Sequence, residues 1–139
     1  MKIIWLEDEP ETIFVIKTEI ERYCSNIEVC QSFSRFSNEL EKLTTEKYLI
    51  ILDIRILFNS EFKTECFEKS FYIDHELEAG FEYYLECLKD RFDDNRIIFL
   101  SSKTLKNSQK DGEKYHVLPK QIIEKEDIAQ LIERIKNVI

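Results

Sequence analysis

The sequence predicts an α/β domain in which helices cover both faces of a parallel sheet. Short runs of consecutive apolar residues alternate along the chain with segments whose apolar residues recur at helical spacing. The short runs are apolar at successive positions, as is typical of parallel strands that are buried on both faces. With 139 residues, 43% of them hydrophobic, the chain has the size of one domain and enough apolar surface to bury a core.

The first half of the chain predicts three strands and two helices. The strands fall at residues 2–6, 27–30 and 48–54, and the run YLIILDI at 48–54 is the strongest of them. Residues 10–24 predict a helix, because proline suits a first helical turn and isoleucines follow at helical spacing. A shorter helix with a serine cap is predicted at 34–43.

The second half predicts a long helix at about 77–91 and a strand at 96–100. A helix within 103–114 should be short or mobile, since this segment has four lysines and one sizeable apolar side chain. The pattern then predicts a final strand at 115–118 and a closing helix at about 125–138.

Residues 55–76 interrupt this alternation after the third strand. Structureless loops of more than about 12–15 residues are uncommon in compact domains, so we expect this insertion to carry its own short helix or hairpin. The chain is therefore predicted to be a single domain, 1–139, with one long insertion.

Composition excludes several classes of function. Lysine and arginine number 20 against 28 aspartates and glutamates, and the net charge of −8 disfavours nucleic-acid binding. Two glycines are too few for a glycine-rich phosphate loop. No apolar run is long enough to span a membrane and no signal-peptide pattern is present, so we expect a cytoplasmic protein that does not bind membranes. Its four cysteines contain no C-x-x-C pair and are expected to be reduced.

Polar residues stand where the predicted strands end, and they are Glu7, Asp8, Asp53, Ser101 and Lys120. Ligands of doubly wound sheets sit beyond the carboxyl ends of the strands, where these side chains should converge. Three neighbouring carboxylates repel one another unless a cation neutralises them, and hard oxygen ligands suit Mg²⁺. The lysine would supply a point charge for a phosphate oxygen, and the serine a hydrogen bond.

These residues, in the contexts KIIWL-Glu7-Asp8, YLIILDI for Asp53, IIFL-Ser101 and a proline beside Lys120, resemble the receiver domain of two-component response regulators. The resemblance covers nearly the whole chain. It implies a flavodoxin-like fold, a doubly wound five-stranded parallel sheet with helices on both faces. It also implies a phosphoprotein of signal transduction.

By this resemblance, Asp53 accepts a phosphoryl group from a sensor histidine kinase or a phosphotransfer protein. Mg²⁺ would be held by Asp8, Asp53 and the main-chain carbonyl of Arg55, with Glu7 acting directly or through water. Ser101 and Lys120 would hold the phosphoryl oxygens. Outside this set, Gly80 is similar to the glycine that follows the phosphorylated aspartate in the family, displaced downstream by the insertion.

Three functions are compatible with the pattern. The first is a stand-alone receiver, not an enzyme, that regulates a downstream protein by contact, because the 139 residues leave no room for an output domain after the last helix. The second is a receiver-like binding module that is not phosphorylated, suggested by the insertion, by Arg55 and by proline preceding Lys120 rather than following it. The third is a Mg²⁺-dependent phosphohydrolase or nuclease, for which no general base is evident.

Overall fold

A computed structural model describes residues 1–56, 63–66, 69–72 and 76–138, with residues 63–66, 69–72 and 76 described by their backbone alone. The strands are β1 (Lys2–Leu6), β2 (Ile27–Cys30), β3 (Tyr48–Asp53), β4 (Lys63–Cys66), β5 (Lys69–Tyr72), β6 (Ile97–Ser101) and β7 (Ile122–Glu124). The α-helices are α1 (Phe14–Ile20), α2 (Phe33–Glu41), α3 (Ala79–Tyr83), α4 (Leu105–Glu113) and α5 (Ile128–Val138).

Five of the strands form one sheet in the order β2-β1-β3-β6-β7, and every neighbouring pair in it is parallel. When these five are numbered along the chain, the order is 2-1-3-4-5, that of flavodoxin-like folds. The predicted α/β class, with its doubly wound five-stranded parallel sheet, is confirmed. The carboxyl ends of β1, β3, β6 and β7 lie side by side at one edge of the sheet.

Alternating strand residues build two hydrophobic cores, one on each face of the sheet. In β1, Ile4 and Leu6 belong to the core covered by α2 and α3, whereas Ile3 and Trp5 belong to the core covered by α1 and α5. All four of these side chains are fully buried. Burial on both faces explains why the strands are apolar at successive positions.

The insertion leaves the sheet after β3 and returns next to the point of departure. The Gly80 amide, in α3, donates to the Ile54 carbonyl at 2.8 Å, so the two ends of the excursion are hydrogen-bonded. Strands β4 and β5 form a separate antiparallel hairpin, and the β4 backbone lies against α2. Of the short helix or hairpin expected within 55–76, the structure shows a hairpin. Residues 57–62, 67–68 and 73–75 of the insertion lie outside the described residues.

Several predicted helices are correct in place but differ in extent. The first begins as a 3-10 turn at Pro10–Ile13 and continues as α1, which ends at Ile20. The helix predicted at 77–91 is α3 followed by a π-helical turn at Tyr84–Leu88. The lysine-rich segment does form a short helix, α4, of nine residues.

The strand predicted at 115–118 is wrong. The amides of Tyr115 and Val117 both donate to the Gly112 carbonyl, so this segment closes the end of α4, and His116 adopts a left-handed φ of 61°. A 3-10 turn at Pro119–Gln121 follows, and the last strand of the sheet is β7. The sequence pattern favoured the wrong segment because β7 is only three residues long.

The structure also bears on two expectations that came from the composition, one about the cysteines and one about membrane-spanning helices. Cys24 and Cys30 are free, but Cys87 is disulfide-bonded, so the expectation that all four cysteines are reduced is wrong for Cys87. Among the described residues, no helix has the length and apolar character needed to cross a bilayer.

We predict that Gly80→Ala destabilises the protein by about 1–3 kcal/mol. An added Cβ would lie 2.3 Å from the Asp53 carbonyl oxygen, and backbone on one side or the other would have to shift. Gly112→Ala is the matched control, because its added Cβ meets only side-chain atoms at 3.3–3.4 Å. Urea denaturation measures both variants, and equal free energies of unfolding would contradict the prediction.

Candidate functional site

Three carboxylates meet at the carboxyl edge of the sheet. Glu7 and Asp8 follow β1, where the Glu7 amide extends the strand pairing by donating to the Cys30 carbonyl at 2.9 Å. Asp53 is the last residue of the neighbouring strand β3. One carboxylate oxygen from each of Glu7, Asp8 and Asp53 lies within 4.8 Å of the others. The sequence therefore predicted this convergence correctly.

A lysine that the sequence analysis did not select completes the cluster. Lys125 follows β7 directly, and its amide donates to the Ser101 carbonyl at 2.8 Å. Its ammonium Nζ lies 3.0 Å from Glu7 Oε1 and 3.2 Å from Asp53 Oδ2. Lys125 thus bridges two carboxylates that are themselves buried, with Glu7 1% exposed and Asp53 6% exposed.

Burial and the mutual repulsion of the carboxylates favour the binding of protons or cations at this cluster. Burial, and then the charge of Asp53, raise the pKa of Glu7 to about 8. Burial also raises the pKa of Asp53, although Lys125 opposes that shift. Burial alone would lower the pKa of Lys125, but the two carboxylates outweigh it and the pKa is raised. The ammonium therefore remains charged at neutral pH.

The prediction that Lys120 belongs to this site is wrong. Lys120 is exposed in the turn that precedes β7, and its Nζ donates to Asn95 Oδ1 at 2.8 Å. Asn95 lies in the turn before β6, so both residues are at the opposite, amino end of the strands. The sequence did carry a signal for Lys125, because the apolar residues Ile122 and Ile123 of β7 come shortly before it. The apolar pair Val117–Leu118 carries a similar signal, and the last strand was predicted there instead.

Ser101, at the end of β6, lies beside the acidic cluster as predicted. It lines a cavity of about 130 Å³ together with Asp53, Arg55 and Lys103. The buried Ser101 hydroxyl is hydrogen-bonded to the Ser108 hydroxyl and accepts from the Lys103 amide at 3.1 Å. The Arg55 side chain is exposed at the cavity, and the role of its main-chain carbonyl stays a prediction.

Helix α4 supplies the far wall of this cavity. Ser108 and Asp111, on successive turns of α4, both face the cavity, and Asp111 pairs with the Lys103 ammonium at 3.2 Å. Sequence reasoning missed Ser108, Lys103 and Asp111, because isolated polar residues in a lysine-rich helix carry no distinguishing pattern. These residues reach the cavity only because α4 packs beside the carboxyl edge of the sheet.

The donor set fits a magnesium ion. All three candidate ligands are carboxylates, the hard oxygen donors that Mg²⁺ prefers, and they are close enough to share one ion. The pKa of Glu7 is raised first by burial and then by the charge of Asp53, and a bound cation would oppose both effects. Glu7, Asp8 and Asp53 are thus the residues that would hold the metal.

Comparison with known proteins supports the fold alone. No protein-family model matches the chain, and no curated protein matches it. A crystal structure of an uncharacterized protein from Neptuniibacter caesariensis is similar, with a TM-score of 0.60 and 18% sequence identity. The match covers 99% of this chain and 87% of that one, and it shows a shared fold.

We predict that Lys125→Met destabilises the protein by about 2–4 kcal/mol at pH 8, because two buried carboxylates lose their cation. The loss should shrink at pH 5, where the carboxylates with raised pKa take up protons instead. Lys120→Met is the matched control, and its effect should stay within about 0.5 kcal/mol at both pH values. Urea denaturation in EDTA measures these differences, and a pH-independent loss for Lys125→Met would contradict the assignment.

We also predict that the metal-free protein loses stability as pH rises from about 4.5 to about 8. Glu7 keeps its proton in the folded state over this range but releases it when unfolded, since its pKa is raised from 4.5 to about 8. The raised pKa of Asp53 acts in the same direction, whereas that of Lys125 acts only above about 10.5. Glu7 by itself contributes a slope of at most about 1.4 kcal/mol per pH unit, and any contribution of Asp53 adds to it.

Glu7→Gln removes the titrating group and should flatten this slope. Free energies of unfolding at half-unit pH steps in EDTA provide the measurement. Identical slopes for the wild type and Glu7→Gln would show that Glu7 does not hold the proton.

Proposed function

We propose that this protein is a receiver-type phosphoacceptor of two-component signalling in which Asp53 is the residue that becomes phosphorylated. The single observation that carries the proposal is the placement of Asp53. Its buried carboxylate touches the Lys125 ammonium on one side and lines the Ser101 cavity on the other. A nucleophile, a counter-charge and a space with a hydroxyl on its wall are the parts that phosphoryl transfer requires.

In the proposed reaction, an Asp53 carboxylate oxygen attacks the phosphorus of a phosphohistidine. The new P–O bond forms an acyl phosphate, the P–N bond breaks, and its electron pair returns to the imidazole nitrogen, which becomes protonated. Mg²⁺, when bound, supplies charge neutralisation for the phosphoryl oxygens. The chain itself contributes mainly orientation, because phosphoryl transfer needs little covalent assistance.

Lys125 takes the role that the sequence analysis gave to Lys120. In the unmodified protein, its ammonium offsets the charges of Glu7 and Asp53. After transfer, the negative charge lies on phosphoryl oxygens next to the former carboxylate, and the ammonium can donate to them without leaving the site. Charge-assisted bonds of this kind contribute about 1.5–3 kcal/mol each.

Helix α4 is the element through which we propose that the modification is sensed. The Ser101 hydroxyl, which would turn to the phosphoryl group, is now bonded to Ser108 on α4. The first amide of α4, on Leu105, donates to Glu124 Oε1 at 2.8 Å, and Glu124 directly precedes Lys125. A change at either site residue therefore alters a bond that holds α4.

The energy available is sufficient for such a switch. Converting a 1:99 population into 99:1 requires about 5.5 kcal/mol of differential interaction. Two or three charge-assisted bonds to a phosphoryl group reach this value. The output would be a protein contact with a downstream target, and the phosphoryl donor a sensor histidine kinase or phosphotransfer protein, both in the cytoplasm.

A second candidate is a receiver-like binding module that is never phosphorylated. The observation that favours it is the double ion pair of Lys125, which satisfies Glu7 and Asp53 without metal or phosphoryl group. In such a module the acidic cluster would be a structural element. The phosphorylation experiment distinguishes the two functions.

We expect acetyl phosphate with Mg²⁺ to produce a phosphoryl adduct on Asp53, detected by intact mass and peptide mapping. Asp53→Asn should abolish the adduct. Lys125→Gln should reduce its yield by roughly ten-fold or more, in line with the loss of a charge-assisted bond. Lys120→Gln, the matched control, should leave the yield unchanged.

Beryllofluoride provides an independent measurement. With Mg²⁺ present, it should shift the backbone NMR signals of Ser101, Ser108 and Leu105 in the wild type but not in Asp53→Asn. Absence of both adduct and beryllofluoride response, in protein that binds Mg²⁺, would contradict phosphorylation and support the binding module.

A further inference from the structure

A second concave surface lies at the amino end of the strands, on the opposite pole from the acidic cluster. It is a groove of about 490 Å³ formed by the turns before β6 and β7 and by the last turn of α5. Three cationic side chains line it, namely Arg96, Lys120 and Arg134. Its size is within the range of small-molecule sites, about 300–1,000 Å³.

The cations of this groove are held by neutral oxygen atoms. Arg134 donates to the Lys120 carbonyl at 2.6 Å and to the Asn95 carbonyl at 3.4 Å, so its guanidinium joins both turns. The Lys120 ammonium donates to Asn95 Oδ1 at 2.8 Å. These contacts orient the positive groups without cancelling their charge.

Arg96 is fixed in the same way. Its guanidinium donates to the Glu46 carbonyl and lies 5.0 Å from the centre of the Tyr48 ring. Within the part of the chain that the structure describes, no ion pair involves Arg96, Lys120 or Arg134. The three cationic side chains of the groove are therefore not neutralised by a carboxylate contact in the described structure.

One carboxylate also lines the groove. Asp93 caps the turn before β6, accepting from the Asn95 amide at 2.9 Å. The side chains that line the groove thus include three cations and one carboxylate. Two guanidiniums retain unused N–H donors, and guanidinium groups match the oxygens of phosphate in paired geometry.

We propose that this groove binds a small molecule that carries phosphate groups, such as a phosphate ester or a diphosphate. The binding would not involve the acidic cluster, because the two sites lie at opposite ends of the sheet. It would also not require Mg²⁺, since the groove supplies its own positive charge. The proposal is independent of phosphorylation at Asp53.

Titration with inorganic pyrophosphate in EDTA, at constant ionic strength, tests the proposal by backbone NMR. We expect saturable shifts at Asn95, Arg96 and Lys120 that persist in Asp53→Asn protein. Lys120→Gln and Arg96→Gln should each weaken binding by roughly three- to ten-fold, as the loss of one exposed charged donor implies. Lys110→Gln, which removes an exposed lysine on α4, should leave the affinity unchanged.

Arg134 joins two turns, so Arg134→Lys is preferred to a neutral substitution there. It keeps the charge but loses the forked donor geometry, and it should weaken pyrophosphate binding while circular dichroism stays that of the wild type. Non-saturating shifts spread over all exposed lysines would overturn the proposal, as would equal affinities for Lys120→Gln and Lys110→Gln proteins. Loss of binding in Asp53→Asn would also overturn the proposal, because binding at the groove should not depend on the acidic cluster.

Discussion

The buried contact of Lys125 with Glu7 and Asp53 is the constraint on which the rest of the site depends. Two carboxylates at the ends of adjacent parallel strands are forced close together by the strand spacing, and burial raises the pKa of both. The ammonium of Lys125, which follows β7 two strands away from β3, offsets this repulsion. Lys125 therefore offsets part of the carboxylate charge of the metal-free protein, and the remaining cost of burying Glu7 appears as its raised pKa.

The insertion is compatible with this site because its two ends are fixed beside Asp53. Gly80 packs against the Asp53 carbonyl with no room for a Cβ, and its amide bonds Ile54. The chain can thus accommodate a long insertion between Ile54 and Gly80 without disturbing β3. Closing a longer loop costs little additional entropy, since the cost grows only with the logarithm of its length. The hairpin β4–β5 is a separate two-stranded sheet beside α2 and does not replace a strand of the five-stranded sheet.

The two poles of the sheet have opposite electrostatic character. Carboxylates gather where the strands end, whereas Arg96, Lys120 and Arg134 gather where β6 and β7 begin. The acidic pole would hold a metal and a covalent phosphoryl group, and the basic pole would hold a free phosphate-bearing ligand. The turns that precede β6 and β7 line the basic groove, whereas Ser101 and Lys125 stand at the other ends of these two strands. The same five-stranded frame thus presents two chemically distinct surfaces.

The sequence by itself determined the fold class and the acidic half of the site. Consecutive apolar residues in β1, β3 and β6 indicated a sheet buried on both faces, and Glu7, Asp8 and Asp53 stood where β1 and β3 end. Local pattern could not decide between two short apolar segments for the last strand, and so Lys120 was predicted where Lys125 lies.

Only the tertiary structure decided that choice, because a three-residue strand is defined by its neighbour β6 and not by its own composition. The same holds for Ser108 on α4 and for the groove around Arg134. Their partners are remote in sequence or belong to another element, and the chain's local preferences carry no information about which distant groups will face each other. Packing against the sheet supplied that information.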